Sequence, residues 1–260
     1  MLEQIDIALK ELRNTKPLVL NLTNYVTMEY MANVLLALGA APIMSMCDAE
    51  LEELVQISSC VNINIGTLDD AFINRCNLAI ELAKKYQKPI ILDPVGAGAT
   101  AIRTKTAINF AQHASIIRGN ASEIMALAHI HQKTLGVEST HFTADAKESA
   151  MAIANQYGCS VVVSGSTDYI TDGKNHFTVP YGSALMSKIT GMGCTLTAVL
   201  AAFRGVSIDA FESSKLATLY FGLCGQLAEK ESTSPGSYRI AFIDNLYATN
   251  IKKLGAIYAQ

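Results

Sequence analysis

The sequence lacks long basic runs, long apolar runs and cysteine pairs at metal-binding spacing. Its formal net charge is −3, and its basic residues cluster only in short pairs such as Lys84-Lys85. Nucleic acid and anionic membranes are therefore not expected partners. No apolar stretch reaches the roughly 18–20 residues that a membrane-spanning helix needs. Residues 1–16 contain no signal-peptide core, so we expect a cytoplasmic protein.

The cysteines and histidines also fail to form known site patterns. None of the six cysteines belongs to a Cys-x-x-Cys pair or has a histidine at metal-ligand spacing, which argues against a zinc site. Most of them lie among apolar residues, where cysteine behaves as a small hydrophobic side chain. The Walker sequence G-x-x-x-x-G-K-[ST] is absent as well, which excludes a P-loop kinase.

Strand-like apolar segments alternate with amphipathic helical segments along almost the whole chain. With 260 residues, half of them apolar, and with no linker or internal repeat, the sequence predicts one domain over residues 1–260. The alternation predicts an α/β fold whose central, mostly parallel sheet is covered by helices on both faces. Residues 169–180 predict a hairpin at one edge of this sheet.

Two further regions carry weaker predictions. Residues 129–142 are polar and without periodicity, which indicates an irregular surface excursion. Beyond Gly191 the apolar spacing predicts three helices, over 194–204, 207–231 and 238–250.

Polar residues follow several predicted strands, at the sheet edge where ligands bind in open α/β folds. Asp93 ends an apolar strand, and it either starts an Asp-Pro turn or offers a carboxylate for Mg²⁺. Asn120 and Glu123 have the spacing of a capping box, which alone accounts for them. Arg118 is placed at a strand end from which its guanidinium could donate two parallel hydrogen bonds to a phosphate. Ser164 opens a small polar loop, which by itself is a weak signal.

The segment Gly191-Met192-Gly193-Cys194 precedes an apolar helical pattern. Its two glycines let the backbone approach a ligand closely, and the free N–H groups of the first helical turn form an anion site. A tight turn without a ligand is the alternative. The helix N-terminus would lower the pKa of Cys194, whereas a bound phosphate would raise it, so the direction stays open.

Taken together and in this order, these motifs resemble those of the hydroxyethylthiazole kinase family. The resemblance rests on Asp93-Pro94-Val95-Gly96-Ala97-Gly98, Arg118-Gly119-Asn120-x-x-Glu123, Thr190-Gly191-x-Gly193-Cys194, Asn24-x-Val26, Pro42-x-Met44 and Asn64-Ile65-Gly66-Thr67. It runs from about residue 18 to the final helix, leaving out residues 129–142 and the last ten.

The resemblance implies a ribokinase-like three-layer α/β sandwich. It also implies ATP- and Mg²⁺-dependent phosphorylation of the hydroxyl of 4-methyl-5-(2-hydroxyethyl)thiazole, a step of thiamine salvage. Members of the family are typically homotrimers, with the thiazole site near the subunit interface and built partly by the neighbouring subunit.

Roles for individual residues follow from the same resemblance. The thiazole would contact Asn24, Val26, Met44 and Gly191. ATP would contact Arg118, Asn120 and Ser164, the last standing where the family often has threonine. Mg²⁺ would be held by Asp93 and Glu123. The catalytic residues would be Gly191 and Gly193, whose N–H groups face the phosphoryl, and Cys194, where related sugar kinases carry the aspartate that accepts the alcohol proton.

Three other functions stay open at this stage. A hydroxymethylpyrimidine or sugar kinase of the same fold would usually carry aspartate at the position of Cys194. A cysteine hydrolase would need a histidine directed at the Cys194 thiol, and no histidine follows a predicted strand. A nucleotide-binding protein without activity would have no reason to retain Asp93, Arg118 and Glu123.

Overall fold

A computed structural model describes residues 1–132, 142–206, 209–248 and 250–258. Its strands form one eight-stranded sheet in the order β2-β1-β3-β4-β5-β6-β7-β8. The strands are β1 Leu18–Leu22, β2 Ala41–Met44, β3 Cys60–Asn64, β4 Ile90–Asp93, β5 Ile116–Asn120, β6 Ser160–Ser164, β7 Asp168–Thr171 and β8 His176–Val179. The first six are parallel, and β7 and β8 add the predicted antiparallel hairpin at one edge.

Helices cover both faces of the sheet. They are α1 Leu2–Thr15, α2 Met28–Leu38, α3 Leu51–Ile57, α4 Asp70–Lys85, α5 Ala101–Ala111, α6 Ala121–Gln132, α7 Phe142–Tyr157, α8 Met192–Arg204, α9 Ala210–Lys230, α10 Pro235–Ala248 and α11 Ile251–Tyr258. One face packs against α3 to α7, and the other against α1, α2 and α8 to α11. The prediction of an α/β sandwich with a mostly parallel sheet is thus confirmed.

Side-chain alternation along the strands explains the two cores. Successive strand residues point to opposite faces, so Ile91 joins the core under α8 while Leu92 joins the core under α4. Both faces are covered, which is why β4 reads as an uninterrupted apolar run up to Asp93. Asp93 follows Ile91 by two residues and therefore faces α8.

Helix α8 is the element that positions the site. Ten of its residues are buried, and it lies across the middle of the sheet, in contact with β1, β3, β4 and β5. A helix that returns antiparallel to parallel strands brings its N-terminus to their carboxyl ends. The first turn of α8 consequently sits where Asp93 and Arg118 emerge.

Several predicted boundaries were wrong. Helix α8 begins at Met192 rather than at residue 194, because Gly191 takes the left-handed conformation (φ 85°) and caps it. In the described part of the chain after Gly191 there are four helices rather than three, since Leu254 and Ile257 of α11 pack into the core. Residues 129–132 extend α6 instead of forming an irregular segment, and the rest of the predicted excursion, up to residue 141, lies outside the described residues.

No helix in the described part of the chain is both long enough and apolar enough to cross a membrane.

Candidate active site

The carboxyl ends of four neighbouring strands and the first turn of α8 converge on one cluster of polar side chains. Strands β3, β4, β5 and β6 end at Asn64, Asp93, Asn120 and Ser164, respectively. These residues are distant in sequence, but parallel pairing brings them to one edge, with Asn64 directly opposite Asp93. The candidate residues at this edge therefore form a single site with the Gly191–Gly193 turn.

Asp93 is the most buried charged residue of the site, with no exposed surface. Its Oδ2 accepts hydrogen bonds from Asn64 Nδ2 at 2.9 Å and Thr197 Oγ1 at 2.7 Å, and Arg118 Nη1 lies 3.7 Å away. Its Oδ1 is buried and has no hydrogen-bond partner among the residues that the structure describes. Burial raises the pKa of Asp93 to about 6, against the opposing effect of the Arg118 charge.

Glu123 forms the capping box at the start of α6 that its spacing predicted. Its Oε2 accepts the Asn120 N–H at 2.8 Å, and Asn120 Oδ1 accepts the Glu123 N–H at 2.9 Å. The second carboxylate oxygen, Oε1, accepts the Gly96 N–H at 2.9 Å. The same side chain thus fastens the glycine-rich loop after β4 to the end of β5, and its charge lies close enough to Asp93 to raise the pKa of that carboxyl.

Arg118 points from β5 across the site. Its Nε donates to Ser164 Oγ at 2.9 Å, and its side chain is only 12% exposed. This bond orients the guanidinium, which lies against Gly193 and brings Nη1 to 3.7 Å from Asp93 Oδ2. The serine hydroxyl that was expected beside the phosphates is here the acceptor that orients Arg118.

The two glycines of the turn are required for different reasons. Gly191 has a positive φ, and a Cβ on it would collide with the Thr27 side chain. A Cβ on Gly193 would lie 2.5 Å from Arg118 Nη1 and 2.8 Å from Nη2. Gly193 therefore leaves the space that the guanidinium occupies.

We expect Gly193→Ala to fold normally and to lose much of its activity, because the added methyl group displaces the flexible end of Arg118. A drop in kcat of about 10² is expected if one preorganised donor is lost. Gly236→Ala is the matched control, since a Cβ there meets nothing within 4 Å. The kcat of both variants is measured by steady-state kinetics, and their stability by thermal unfolding. Equal kcat values for the two variants would contradict this prediction.

Cys194 lies in the first turn of α8, beside Asn24. The Asn24 Nδ2 is 3.4 Å from Cys194 Sγ and donates to Asn64 Oδ1 at 2.8 Å. Burial raises the pKa of the Cys194 thiol, and the negative charge of Asp93 raises it further. These effects outweigh the lowering by Asn64, Arg118 and Asn24, so the pKa of the thiol lies above its ordinary value.

The other residues expected at the thiazole are less tightly gathered. Asn24 is buried in the cluster, whereas Val26 is 69% exposed at the surface. Met44 is half-buried at the end of the outermost parallel strand, β2. Within one chain, therefore, Asn24 meets the Gly191–Cys194 turn, while Val26 leaves its apolar side chain uncovered.

A cavity of about 640 Å³ opens beside Arg118 and Gly193, which line it. It lies within the roughly 300–1,000 Å³ of small-molecule sites. Its far wall comes from residues that the sequence analysis did not single out: Pro180, Tyr181, Gly182, Ser183, Met186, Phe221, Gly222 and Glu229. A Cβ on Gly222 would lie 2.7 Å from the Tyr181 carbonyl oxygen, so the glycine allows this wall to pack closely against α9.

Asp168 also lines the cavity, at the start of β7. Its Oδ1 accepts the Gly165 N–H at 3.0 Å, which closes the polar loop after β6. Burial raises the pKa of Asp168 to about 6, and the Gly165 hydrogen bond and the Arg118 charge oppose this. The side chain shapes the loop that carries Ser164.

Arg103 also supports the site, although the sequence analysis did not single it out. From α5, its Nη1 donates to the carbonyl oxygens of Ile65 and Val95, each at 2.8 Å, and its Nη2 to that of Gly66 at 3.0 Å. The arginine therefore ties together the loops that follow β3 and β4. No local motif marks it, because its partners are backbone carbonyls from distant segments.

The two carboxylates expected at Mg²⁺ can be judged from their surroundings. Among the described residues, no group of three or more His, Cys, Asp or Glu side chains is arranged to hold a metal ion. Mg²⁺ at phosphoryl-transfer sites, however, is usually held by one or two carboxylates together with phosphates and water. The buried Oδ1 of Asp93, an acceptor without a donor, is suited to such an ion.

Comparisons with known proteins agree with this geometry. A hydroxyethylthiazole kinase of Chlamydia felis (strain Fe/C-56) is 52% identical over 262 residues, which cover 100% of both chains. The solved structure of the hydroxyethylthiazole kinase protein from Pyrococcus horikoshii OT3 is similar with a TM-score of 0.90 and 37% identity, covering 97% of this chain and 96% of that one.

A more distant structure supports the fold alone. A ribokinase-like superfamily protein from Enterococcus faecalis V583 has a TM-score of 0.61 at 17% identity, covering 90% of this chain and 88% of that one. The predicted ribokinase-like fold is thereby confirmed. The model of the hydroxyethylthiazole kinase family matches residues 9–252. The chain belongs to the hydroxyethylthiazole kinase family.

Proposed function

We propose that this protein transfers the γ-phosphoryl group of ATP to the hydroxyl of 4-methyl-5-(2-hydroxyethyl)thiazole, a step of thiamine salvage. One observation carries the proposal beyond family membership. Met192 and Gly193 at the start of α8 line a nucleotide-sized cavity together with Arg118, and the next residue, Cys194, lies 3.4 Å from Asn24. Arg118 in turn lies 3.7 Å from Asp93. A phosphoryl donor in the cavity and an alcohol beside Asn24 would therefore meet at the first turn of α8.

The nucleotide would occupy the cavity of about 640 Å³. Its phosphates would lie toward Arg118, Asn120 and Ser164, where the guanidinium and the N-terminus of α8 are the positive groups. The base would lie toward the apolar wall at Phe221. This orientation follows from charge, because Arg118 is the cationic side chain among the described residues that line the cavity.

Asp93 and Glu123 would hold Mg²⁺. The ion would neutralise the charge of the phosphates when it is bound. Asp93 presents its unpartnered Oδ1, and the burial that raises its pKa is offset by a nearby cation. Glu123 would act less directly, since both of its oxygens already accept backbone N–H groups.

The turn before α8 would carry most of the catalysis. Phosphoryl transfer passes through a loose transition state with charge on the equatorial oxygens, and it needs positioning and charge stabilisation more than covalent chemistry. The N–H groups of Gly191 and Gly193 would supply preorganised donors at a helix N-terminus, whereas that of Met192 donates to the Ile189 carbonyl oxygen at 3.4 Å. Arg118 faces the same point from the sheet.

Cys194 would be a weak proton acceptor, because its raised pKa keeps the thiol protonated at neutral pH. We expect Cys194→Asp to keep or raise kcat, since a carboxylate accepts a proton more readily. Cys194→Ser is the matched control and should stay within about tenfold of the wild type, below the 10²–10⁴ of an effective general base. Steady-state kinetics of the three proteins make the test, and an inactive aspartate variant would count against a base at this position.

The proposed reaction is tested by incubating the protein with ATP, Mg²⁺ and a panel of thiazole, pyrimidine and sugar alcohols. Phosphorylated products are identified by mass spectrometry. We expect the thiazole phosphate as the main product. If the panel yields a pyrimidine or sugar phosphate and no thiazole phosphate, the protein is a different kinase of this fold, and the proposal is wrong.

We further propose a cytoplasmic homotrimer whose thiazole site lies near the subunit interface. Supporting this, Tyr25 and Val26 next to Asn24 are 47% and 69% exposed, which leaves apolar surface beside the site for a neighbouring subunit to cover. The six cysteines are free thiols, as suits a reducing compartment. Light scattering of the purified protein measures the mass, and a monomer would refute the trimer.

A further inference from the structure

We propose that Asn64 is a positioning residue that links the pocket for the alcohol to the carboxylate that holds magnesium. The inference rests on the proposed function and adds a residue to it. Asn64 ends β3, has no exposed surface and lies between Asn24 and Asp93. It contacts Asn24, which is assigned to the thiazole, and Asp93, which is assigned to Mg²⁺.

The orientation of the Asn64 amide is fixed by its neighbours. Its Oδ1 accepts the Gly66 N–H at 3.0 Å and Asn24 Nδ2 at 2.8 Å. A backbone N–H can only donate, so the oxygen must face Gly66 and the NH₂ group must face the other way. There it donates to Asp93 Oδ2 at 2.9 Å.

This orientation decides which oxygen of Asp93 is available. Asn64 and Thr197 both donate to Oδ2, and Arg118 Nη1 approaches the same atom. Oδ1 is left buried and without a donor. Hydrogen bonds from outside the ligand shell orient metal ligands in this way, and their loss weakens metal binding.

On its other side, Asn64 fixes the amide of Asn24. Because Asn24 donates to Asn64 Oδ1, its Nδ2 is held 3.4 Å from Cys194 Sγ, and its Oδ1 accepts from Thr27 Oγ1 at 3.1 Å. Asn24 therefore presents the same face to the alcohol pocket only while Asn64 is in place. Loss of Asn64 should affect both the metal ion and the acceptor alcohol.

Strand β3 provides its own control. Asn62, two residues earlier, points to the same face, has no exposed surface and donates to Asn21 Oδ1 on β1 at 2.9 Å. Asn62→Ala thus removes an equally buried asparagine from the same strand and breaks its hydrogen bond to a second asparagine, Asn21. Unlike Asn64, Asn62 has no hydrogen bond to Asp93 or Asn24 among the described contacts.

The experiment uses Mn²⁺ as a probe for Mg²⁺. It is titrated into the ADP complexes of the wild type, Asn64→Ala and Asn62→Ala. The concentration of free Mn²⁺ is measured by electron paramagnetic resonance. We expect the Kd of Mn²⁺ to rise by about 10- to 100-fold in Asn64→Ala and to stay close to the wild-type value in Asn62→Ala. The KM for the thiazole should also rise in Asn64→Ala alone. Thermal unfolding reports the structural cost of each change.

A second pair of variants approaches Asp93 from α8. Thr197→Val keeps the shape but removes the other donor to Oδ2, and it should weaken Mn²⁺ binding, whereas Thr197→Ser should restore it. If Asn64→Ala does not fold, Asn64→Ser replaces it in the comparison. An unchanged Kd in the Asn64 variant, or an equal change in Asn62→Ala, overturns the inference.

The metal titration needs no acceptor alcohol, so the two proposals can fail separately. A wild type that binds Mn²⁺ with ADP but phosphorylates no thiazole would refute the proposed reaction, while the effect of Asn64→Ala on the Kd of Mn²⁺ would still test the role of Asn64 at the metal ion. A wild type that phosphorylates thiazole, with metal binding insensitive to Asn64, would refute the role of Asn64 alone.

Discussion

Asp93→Asn is expected to lower kcat by about 10³ or more, the scale on which preorganised charge stabilises transition states. The reason lies in the donors around the side chain. The fixed NH₂ group of Asn64 faces Oδ2, so the amide oxygen of the new asparagine takes that place. Its own NH₂ then occupies the position of Oδ1 and directs a donor to the point where a cation needs an acceptor.

Asp168→Asn is the matched control for this variant. It removes a carboxylate whose pKa is also raised by burial and which lines the same cavity. Its carboxylate holds a loop N–H, so we expect a much smaller loss of kcat. Mn²⁺ affinity and kcat are measured for both variants. If the asparagine at position 93 retains wild-type Mn²⁺ affinity, Asp93 is not the metal ligand.

Arg118→Ala should reduce kcat by about 10³, within the range found when an arginine at a phosphoryl-transfer site is removed. The guanidinium is only 12% exposed and is oriented by Ser164, so a replacement from solvent cannot reproduce its geometry. The effect should appear mainly in kcat, with a smaller rise in the KM for ATP. Single-turnover kinetics separate binding from the chemical step.

Arg118→Lys tests whether charge alone is sufficient. Lysine keeps the positive charge, but its ammonium group lacks the planar fork of donors that fixes the directions of the bonds to Ser164 and to the phosphates. We therefore expect an activity between those of the alanine variant and the wild type. A lysine variant with full activity would show that geometry is unimportant at this position. An Arg118→Ala variant with full activity would show that Arg118 takes no part in catalysis.

Much of the architecture could be predicted from local patterns. The apolar run before Asp93 identifies a strand covered on both faces, because such strands show no alternation. The spacing of Asn120 and Glu123 identifies the capping box, whose geometry depends on one helical turn. The helix ends were less predictable, as α8 shows: capped by Gly191, it begins at Met192, two residues before the predicted start.

By itself, the sequence determined the α/β class, the order of the motifs at strand ends and, through their resemblance, the family. Each depends on residues close together in the chain. Only the tertiary structure decided which way the Asn64 amide points, that Thr197 and Arg103 support the site, and which segment walls the cavity. It also decided that the pKa of Cys194 rises, since burial and the charge of Asp93 outweigh the lowering by Asn64, Arg118 and Asn24. These outcomes depend on contacts between segments about 30 to 100 residues apart, which no local pattern records.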